Sequence, residues 1–235
     1  MRLLVTRPQP DAERTAAALR SRGHSVLVMP VLRVEPVSDV ALGPRPFAGI
    51  LVTSANAVRA ITQHPSIATL RPLPVFAVGE KTRAAAESAG FSTVVSADGD
   101  AAALAELVAS RFGRDRPPGP LLYLAGEEHT GDLELTLSKQ QFAVDTVVVY
   151  RAVMINELTP LVVDALNADA LDGVLHFSRR SVEALLAAAR GLGLHAKVMA
   201  LRHYCLSTQV AAALEGATVH VAAHADEQAL LALIG

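Results

Sequence analysis

Short β-branched runs alternate along the chain with longer stretches whose apolar positions recur at helical spacing. The runs that read as strands are Leu3–Thr6, Ser25–Met29, Ile50–Thr53, Pro74–Val78, Thr93–Ser96, Leu121–Leu124, Asp145–Tyr150, Gly173–Phe177, His203–Leu206 and Val219–Ala222. Helical patterns fall between most of them. The clearest runs from Asp11 to Arg22, with Asp11 placed to cap it, Ala16, Leu19 and Arg20 at helical spacing, and Gly23 to stop it. Glu80–Ala89 ends at Gly90 and Asp100–Phe112 at Gly113 in the same way. Strands alternating with helices imply parallel sheets with crossover helices, an α/β protein.

The pattern is written twice. FAGILVTSANAV (47–58) resembles LDGVLHFSRRSV (171–182), with Gly49, Ser54 and Val58 facing Gly173, Ser178 and Val182 at a shift of 124. Residues 3–26 resemble 121–144 at a shift of 118, and VGEKTRAAAESAG (78–90) resembles LSTQVAAALEGA (206–217) at 128, Gly79 facing Ser207. Two copies of one α/β unit account for this, and their length is too great for a solenoid repeat. Pro36–Pro46 and Gly113–Pro120 are the most loop-like stretches.

Composition narrows the class of partner. A chain of 235 residues suits one large or two moderate domains, and 51% apolar residues suffice for a core, although there is no Trp. A net charge of -2 argues against nucleic acid, which calls for a basic face. Cys205 is the only cysteine, so an intramolecular disulfide is excluded and a cysteine metal site disfavoured. The apolar run in MRLLVTRPQP is too short for a signal peptide, and no segment approaches the roughly 18 apolar residues of a membrane span. These features predict a soluble cytoplasmic protein without membrane contact. No strongly apolar stretch is left over for an interface, which predicts a monomer.

In open parallel sheets, ligands sit beyond the carboxyl ends of the strands. Four turns place a small or hydroxyl residue there, at the start of a helix: Thr53-Ser54-Ala55-Asn56, Val78-Gly79-Glu80-Lys81, Phe177-Ser178-Arg179-Arg180 and Leu206-Ser207-Thr208-Gln209. Free N–H groups and the positive end of a helix dipole suit a ligand carrying several carboxylates or phosphates. Ser54 and Ser178 also read simply as helix caps. His220 and His224 lack the glutamate of a zinc metalloprotease helix and read as ordinary histidines. VGEKT lacks the first glycine of a phosphate loop, and no G-x-G-x-x-G occurs. Tyr150 ends the apolar strand of VVVYRAV, where a half-buried tyrosine bonded at the rim is the ordinary reading.

Taken in order, LLVTRP, Pro30, LVTSANAV, FAVGEKTRAAAESAGF, VVVYRAV, HFSRRSV and VHVAAHADEQALL make the chain similar to the uroporphyrinogen-III synthases over nearly its whole length. The resemblance implies two flavodoxin-like domains with parallel sheets, joined by a two-strand connector. One domain would be discontinuous, 1–33 plus 153–235, and the other 36–150, with connectors near 31–36 and 150–155. It implies closure of hydroxymethylbilane to uroporphyrinogen III, with inversion of ring D, loss of water and no cofactor or metal. The partner would be a small polycarboxylate tetrapyrrole, with transient contact with the enzyme that supplies it. An eight-carboxylate substrate agrees with the helix starts found above.

By position, the resemblance makes Tyr150 the candidate general acid at the leaving hydroxyl. Thr6, Arg7, Ser54, Asn56, Gly79, Thr82 and Ser178 match positions that face the family's cleft, and Ser207 takes the place of Gly79 in the second copy. Arg7, Arg179 and Arg180 are suited to pair with acetate or propionate groups. The chain departs from the family's pattern at Ser207 and Val210, where Gly and Thr are usual. Ala125-Gly126 stands where an arginine is common, and His176 replaces a threonine. These departures favour the rival reading, a non-catalytic two-domain binding or regulatory protein that keeps the fold.

Overall fold

The structure, a computed structural model, describes residues 1–43, 46–113 and 117–234. The first half contains β1 (Arg2–Val5), α1 (Asp11–Ser21), β2 (Ser25–Val28), β3 (Leu32–Pro36), β4 (Gly49–Val52), α2 (Ala55–Ile61), α3 (Ile67–Leu70), β5 (Val75–Ala77), α4 (Glu80–Ser88), β6 (Val94–Ser96) and α5 (Ala101–Phe112). There follow β7 (Leu121–Gly126), α6 (Asp132–Lys139), β8 (Val144–Met154), α7 (Pro160–Asn167), β9 (Gly173–His176), α8 (Arg179–Gly191), α9 (His195–Met199), β10 (Arg202–Cys205), α10 (Thr208–Ala211), β11 (Thr218–Val221) and α11 (Glu227–Ala232). Pro44, Arg45 and Arg114–Arg116, within the two loop-like stretches, lie outside the described residues. No helix among the described residues is long and apolar enough to cross a membrane.

Two compact units form, one from Met1–Arg33 with Val153–Gly235, the other from Val34–Ala152. In unit 1 the strands lie in the order β11-β10-β9-β1-β2, and in unit 2 in the order β8-β7-β4-β5-β6, with β3 beside β8. The repeat explains both. Its shifts equate β1 and β2 with β7 and β8, and β9 and β10 with β4 and β5. Renumbered by that equivalence, each sheet reads 2-1-3-4-5, the flavodoxin order. Unit 2 is a circular permutation of unit 1, because its third to fifth strands come first in the chain. The strand pairs are parallel throughout both repeats, as between Leu3 and Gly173 or Gly49 and Leu121.

Among the described strands, β3 and β8 alone run antiparallel. Val37 N donates to Val149 O and Ile155 N to Val31 O, pairs whose numbers rise on one strand as they fall on the other. Reading strands from the residues alone omits β3 and stops β8 at Tyr150, four residues early. Both errors have one cause. Beyond the sheet interior these strands are only half buried, so their polar residues break the apolar run.

The shared glycines have a packing reason. A Cβ on Gly49 would lie 3.0 Å from Phe76 Cε2, and one on Gly173 would lie 2.8 Å from Tyr204 Cε2. Phe76 and Tyr204 are themselves equivalent across the repeat, so each glycine admits the same aromatic ring of the neighbouring strand. Val58 and Val182 are buried beneath their helices, each position worth about 1.5–3 kcal/mol of transfer free energy. Apolar side chains cover both faces of each sheet.

One predicted cap is corrected. The N-cap of α1 is Pro10, and Asp11 stands inside the helix, where its carboxylate binds Arg7 and Arg14 instead of backbone N–H groups. Gly23 does end α1, at φ +84, with its N–H on Arg20 O.

Candidate active site

Where the strand order reverses, the loops leaving neighbouring strands diverge and open a crevice at the carboxyl edge. In unit 1 that point lies between β1 and β9. Thr6 is fully buried there and its hydroxyl donates to Leu175 O at 3.0 Å, so it faces the fold. Arg7 lies 3.9 Å over the Phe177 ring and reaches Asp11 (3.2 Å), Glu227 (3.0 Å) and Thr15 (3.0 Å). Its guanidinium is already neutralised by two carboxylates, and only 11% of the side chain is exposed. The structure therefore gives Thr6 and Arg7 structural partners.

The reversal in unit 2, between β7 and β4, is built differently. Thr53, just past β4, shares a 3.0 Å hydrogen bond with the Tyr123 hydroxyl of β7. β7 ends at Gly126, where a bulge sets Ala125 opposite Val148 but Gly126 opposite Tyr150. The half-buried Tyr150 ring rests on this glycine: a Cβ there would stand 2.7 Å from Tyr150 Cζ and 2.8 Å from its hydroxyl oxygen. Any side chain at 126 would displace the tyrosine. Glu127 N donates to Tyr150 O at 2.9 Å and ties the following loop to the same residue.

That loop carries His129. Its Nδ1 lies 2.9 Å from Gly126 O and its Nε2 3.0 Å from Glu134 Oε1, which also accepts from Thr146 at 3.0 Å. Tyr123 meets the imidazole edge-on, with ring centroids 5.8 Å apart. Burial raises the Tyr123 phenol; the Thr53 hydrogen bond opposes this, while the charges of Glu134 and Tyr150 add to it. The Tyr123 phenol and the His129 imidazole thus gather on the face of the sheet that α6 covers, while Tyr150 packs with the apolar cluster of the other face.

The predicted helix starts are as follows. Ser54 Oγ accepts from Asn56 N (3.1 Å), Ser178 Oγ from Ser181 N (3.2 Å) and Ser207 Oγ from Val210 N (3.4 Å), so all three serines cap their helices. The Asn56 side chain accepts from Arg59 at 2.7 Å. Gly79 starts α4 in an extended conformation with open space where a Cβ would stand, leaving that helix end bare. Thr82, one turn in, is buried. On α8, Arg179 is exposed and paired with Glu183 at 2.8 Å, and Arg180 is half buried.

Two other departures in the second copy, Val210 and His176, lie in packing. Val210 is core. His176 is fully buried, with its ring within 9° of parallel to that of His203, centroids 5.2 Å apart, and its Nε2 3.0 Å from His203 Nδ1. His203 Nε2 faces Val198 O, which can only accept, so the proton sits there and His203 Nδ1 accepts from His176. His176 Nδ1 is left a bare lone pair with no partner among the described residues. Burial, aided by His203, pulls His176 down to about 3. Burial likewise pushes the Cys205 thiol up to about 12, which leaves it unreactive. His220 stacks on Tyr204.

Residues 13–234 match the family model described as uroporphyrinogen-III synthase HemD. The chain belongs to the uroporphyrinogen-III synthase family. It is 25% identical to the uroporphyrinogen-III synthase of Schizosaccharomyces pombe over 201 residues, 78% of each chain. Its fold is similar to the uroporphyrinogen-III synthetase of Helicobacter pylori 26695, with a TM-score of 0.67 and 19% identity over 99% of this chain and 98% of that one. A mutant uroporphyrinogen III synthase from the extremely thermophilic bacterium Thermus thermophilus gives 0.55 at 18% identity, covering 99% and 96%. As a uroporphyrinogen-III synthase family member the chain is a cyclising lyase of haem biosynthesis, acting on a small tetrapyrrole; the non-catalytic alternative is not favoured.

Sequence reasoning named Tyr150, but not the linked group of Thr53, Tyr123, His129 and Glu134 at the same strand reversal. The one available signal was Tyr123, a lone polar tip in the aliphatic strand LLYLAG.

Proposed function

We propose that the strand reversal of unit 2 carries the chemistry of hydroxymethylbilane closure in this chain, with Tyr150 as the acid at the departing hydroxyl. A proton donated there lets the terminal hydroxyl leave as water and gives an azafulvene cation. Ring D attacks through its substituted carbon, and the spiro intermediate fragments and recloses with that ring inverted. The last carbon to bond loses its proton as the pyrrole regains aromaticity. The pyrroles' own electrons drive each bond change, so the reading asks for no cofactor. The protein's task is to assist hydroxide loss and to hold the chain where direct closure loses.

The observation that carries this reading is the Tyr150 ring seated on Gly126 at the carboxyl edge of the sheet. Substrate carboxylates are assigned to the bare N-terminus of α4 at Gly79 and Thr82, and to the α2 start at Ser54 and Asn56. In unit 1 they are assigned to the starts of α8, with Ser178, Arg179 and Arg180, and of α10 at Ser207. Thr6 and Arg7 support these turns from within. The protein is placed in the cytoplasm as a monomer, in transient contact with the enzyme that makes its unstable substrate. The test supplies hydroxymethylbilane generated in situ and chromatographs the oxidised porphyrins. Isomer III is expected; isomer I alone, the spontaneous product, at high protein concentration would overturn the reading.

A further inference from the structure

Tyr123 and Thr53 stand on neighbouring strands, β7 and β4, where the strand order of unit 2 reverses. The register sets Tyr123 opposite Leu51, so Thr53, two residues on, shares its face of the sheet. Thr53 is also the first residue past the end of β4. The 3.0 Å contact between the two hydroxyls is the one hydrogen bond either of them makes among the described residues. Two hydroxyls carry two protons, and a single bond between them uses one. Burial decides which. Tyr123 is only 4% exposed, so a phenol proton without an acceptor would be left desolvated and unpaired. Thr53 is only partly buried and is under no such constraint. Tyr123 therefore donates and Thr53 accepts, which leaves the threonine's own O–H without an acceptor among the described residues. Burial also raises the phenol, so it keeps that proton at neutral pH.

We infer that Thr53 is a substrate-binding residue that donates its free O–H to a substrate carboxylate, and that Tyr123 is the positioning residue that aims and polarises it. The inference rests on the proposed placing of the substrate at the strand reversal of unit 2. Thr53 has the properties such a donor needs. It lies at the carboxyl edge, where ligands of open parallel sheets sit. A hydroxyl that already accepts one hydrogen bond gives a stronger second one, because successive bonds polarise one another. Its branched Cβ stiffens the side chain, and the bond to a buried ring fixes the hydroxyl. The ring is itself well seated, packed with Leu51, Leu133 and Leu137 and met edge-on by the His129 imidazole. No proton leaves the pair. The carboxylate is remote from the bonds that change, so the contact is made equally in ground and transition states and acts on affinity.

Two readouts on the full chain test this: steady-state kinetics with hydroxymethylbilane, and the Kd of uroporphyrinogen III from anaerobic equilibrium dialysis, which reads the carboxylate contact without turnover. Thr53→Val should raise KM and Kd about tenfold with kcat within about twofold of wild type, and Thr53→Ala, a second variant lacking the hydroxyl, should do the same. Thr53→Ser keeps the hydroxyl and should stay within about threefold of wild type on both. Tyr123→Phe should weaken binding about threefold in the wild-type background and have no effect in Thr53→Val, because the phenol acts only through that hydroxyl. A Kd at the wild-type value in the variants lacking the hydroxyl, an equal loss in Thr53→Ser, or a Tyr123→Phe effect undiminished in Thr53→Val overturns the inference. If the wild type forms no isomer III, the catalytic reading fails instead, and the Kd series alone decides whether Thr53 binds.

Discussion

Acidification should weaken unit 1 through His176. The folded protein holds this ring neutral, with its protonation moved from 6.5 to about 3 by burial and by the neighbouring His203. Between those values the unfolded chain binds a proton that the folded chain refuses, so stability rises with pH across the window. The contribution is fully present above about pH 6.5 and is lost progressively towards pH 3. At about 1.4 kcal/mol per pH unit, the gap is worth on the order of 5 kcal/mol in all, and roughly 2 kcal/mol is gone by pH 5. His203 is lowered too, by burial and against its bond to Val198 O, and acts in the same direction. Urea unfolding at pH 7.5 and pH 5 measures the loss. Other groups titrate over the same range, so the control is His176→Gln, whose amide can still donate to His203 Nδ1. The wild type should lose about 2 kcal/mol more than the variant over this interval. Equal losses in the two proteins would refute the buried, unpartnered Nδ1 as the cause.

Gly126→Ala should slow isomer III formation by about tenfold or more, because the new Cβ would meet the Tyr150 ring at 2.7 Å and force it aside; an unchanged rate in single-turnover assays would place Tyr150 outside the reaction. Arg7→Met should cost about 1–3 kcal/mol in urea unfolding at neutral pH, since it strips charged partners from Asp11 and Glu227. Substrate affinity should stay within about twofold of wild type, an interaction difference well under 1 kcal/mol. Unchanged stability with weakened binding would show that Arg7 faces the substrate.

Most strands were legible because buried parallel strands are continuous aliphatic runs, as in Gly49–Val52 and Gly173–His176. The caps at Ser54 and Ser178 were legible because an N-cap is a local bond spanning two or three residues. Asp11 shows the limit of that logic: a neighbouring arginine outcompetes the backbone for the same carboxylate. The repeat was legible as residue spacing, yet spacing alone equates strands without saying which sheet each joins. That depends on pairings such as Leu3 with Gly173, set by the whole chain. The polar group at the strand reversal of unit 2 was hidden for the same reason. Thr53 and Tyr123 lie 70 residues apart and meet only through the β4–β7 register. His129 gains its meaning from a bulge that no local pattern announces. The glycine of Ala125-Gly126 looked like a departure from the family, and the structure gives it a purpose, since only a residue without a side chain leaves the Tyr150 ring its seat.

The central claim is that Tyr150, held at the strand reversal of unit 2, protonates the leaving hydroxyl. Single-turnover conversion of hydroxymethylbilane by Tyr150→Phe, against wild type, tests it most directly. The variant keeps the ring on Gly126 and loses only the proton. Isomer III formation should fall by about a hundredfold, within the range for loss of a general acid, with product affinity unchanged. A wild-type rate of isomer III formation from Tyr150→Phe would contradict the account.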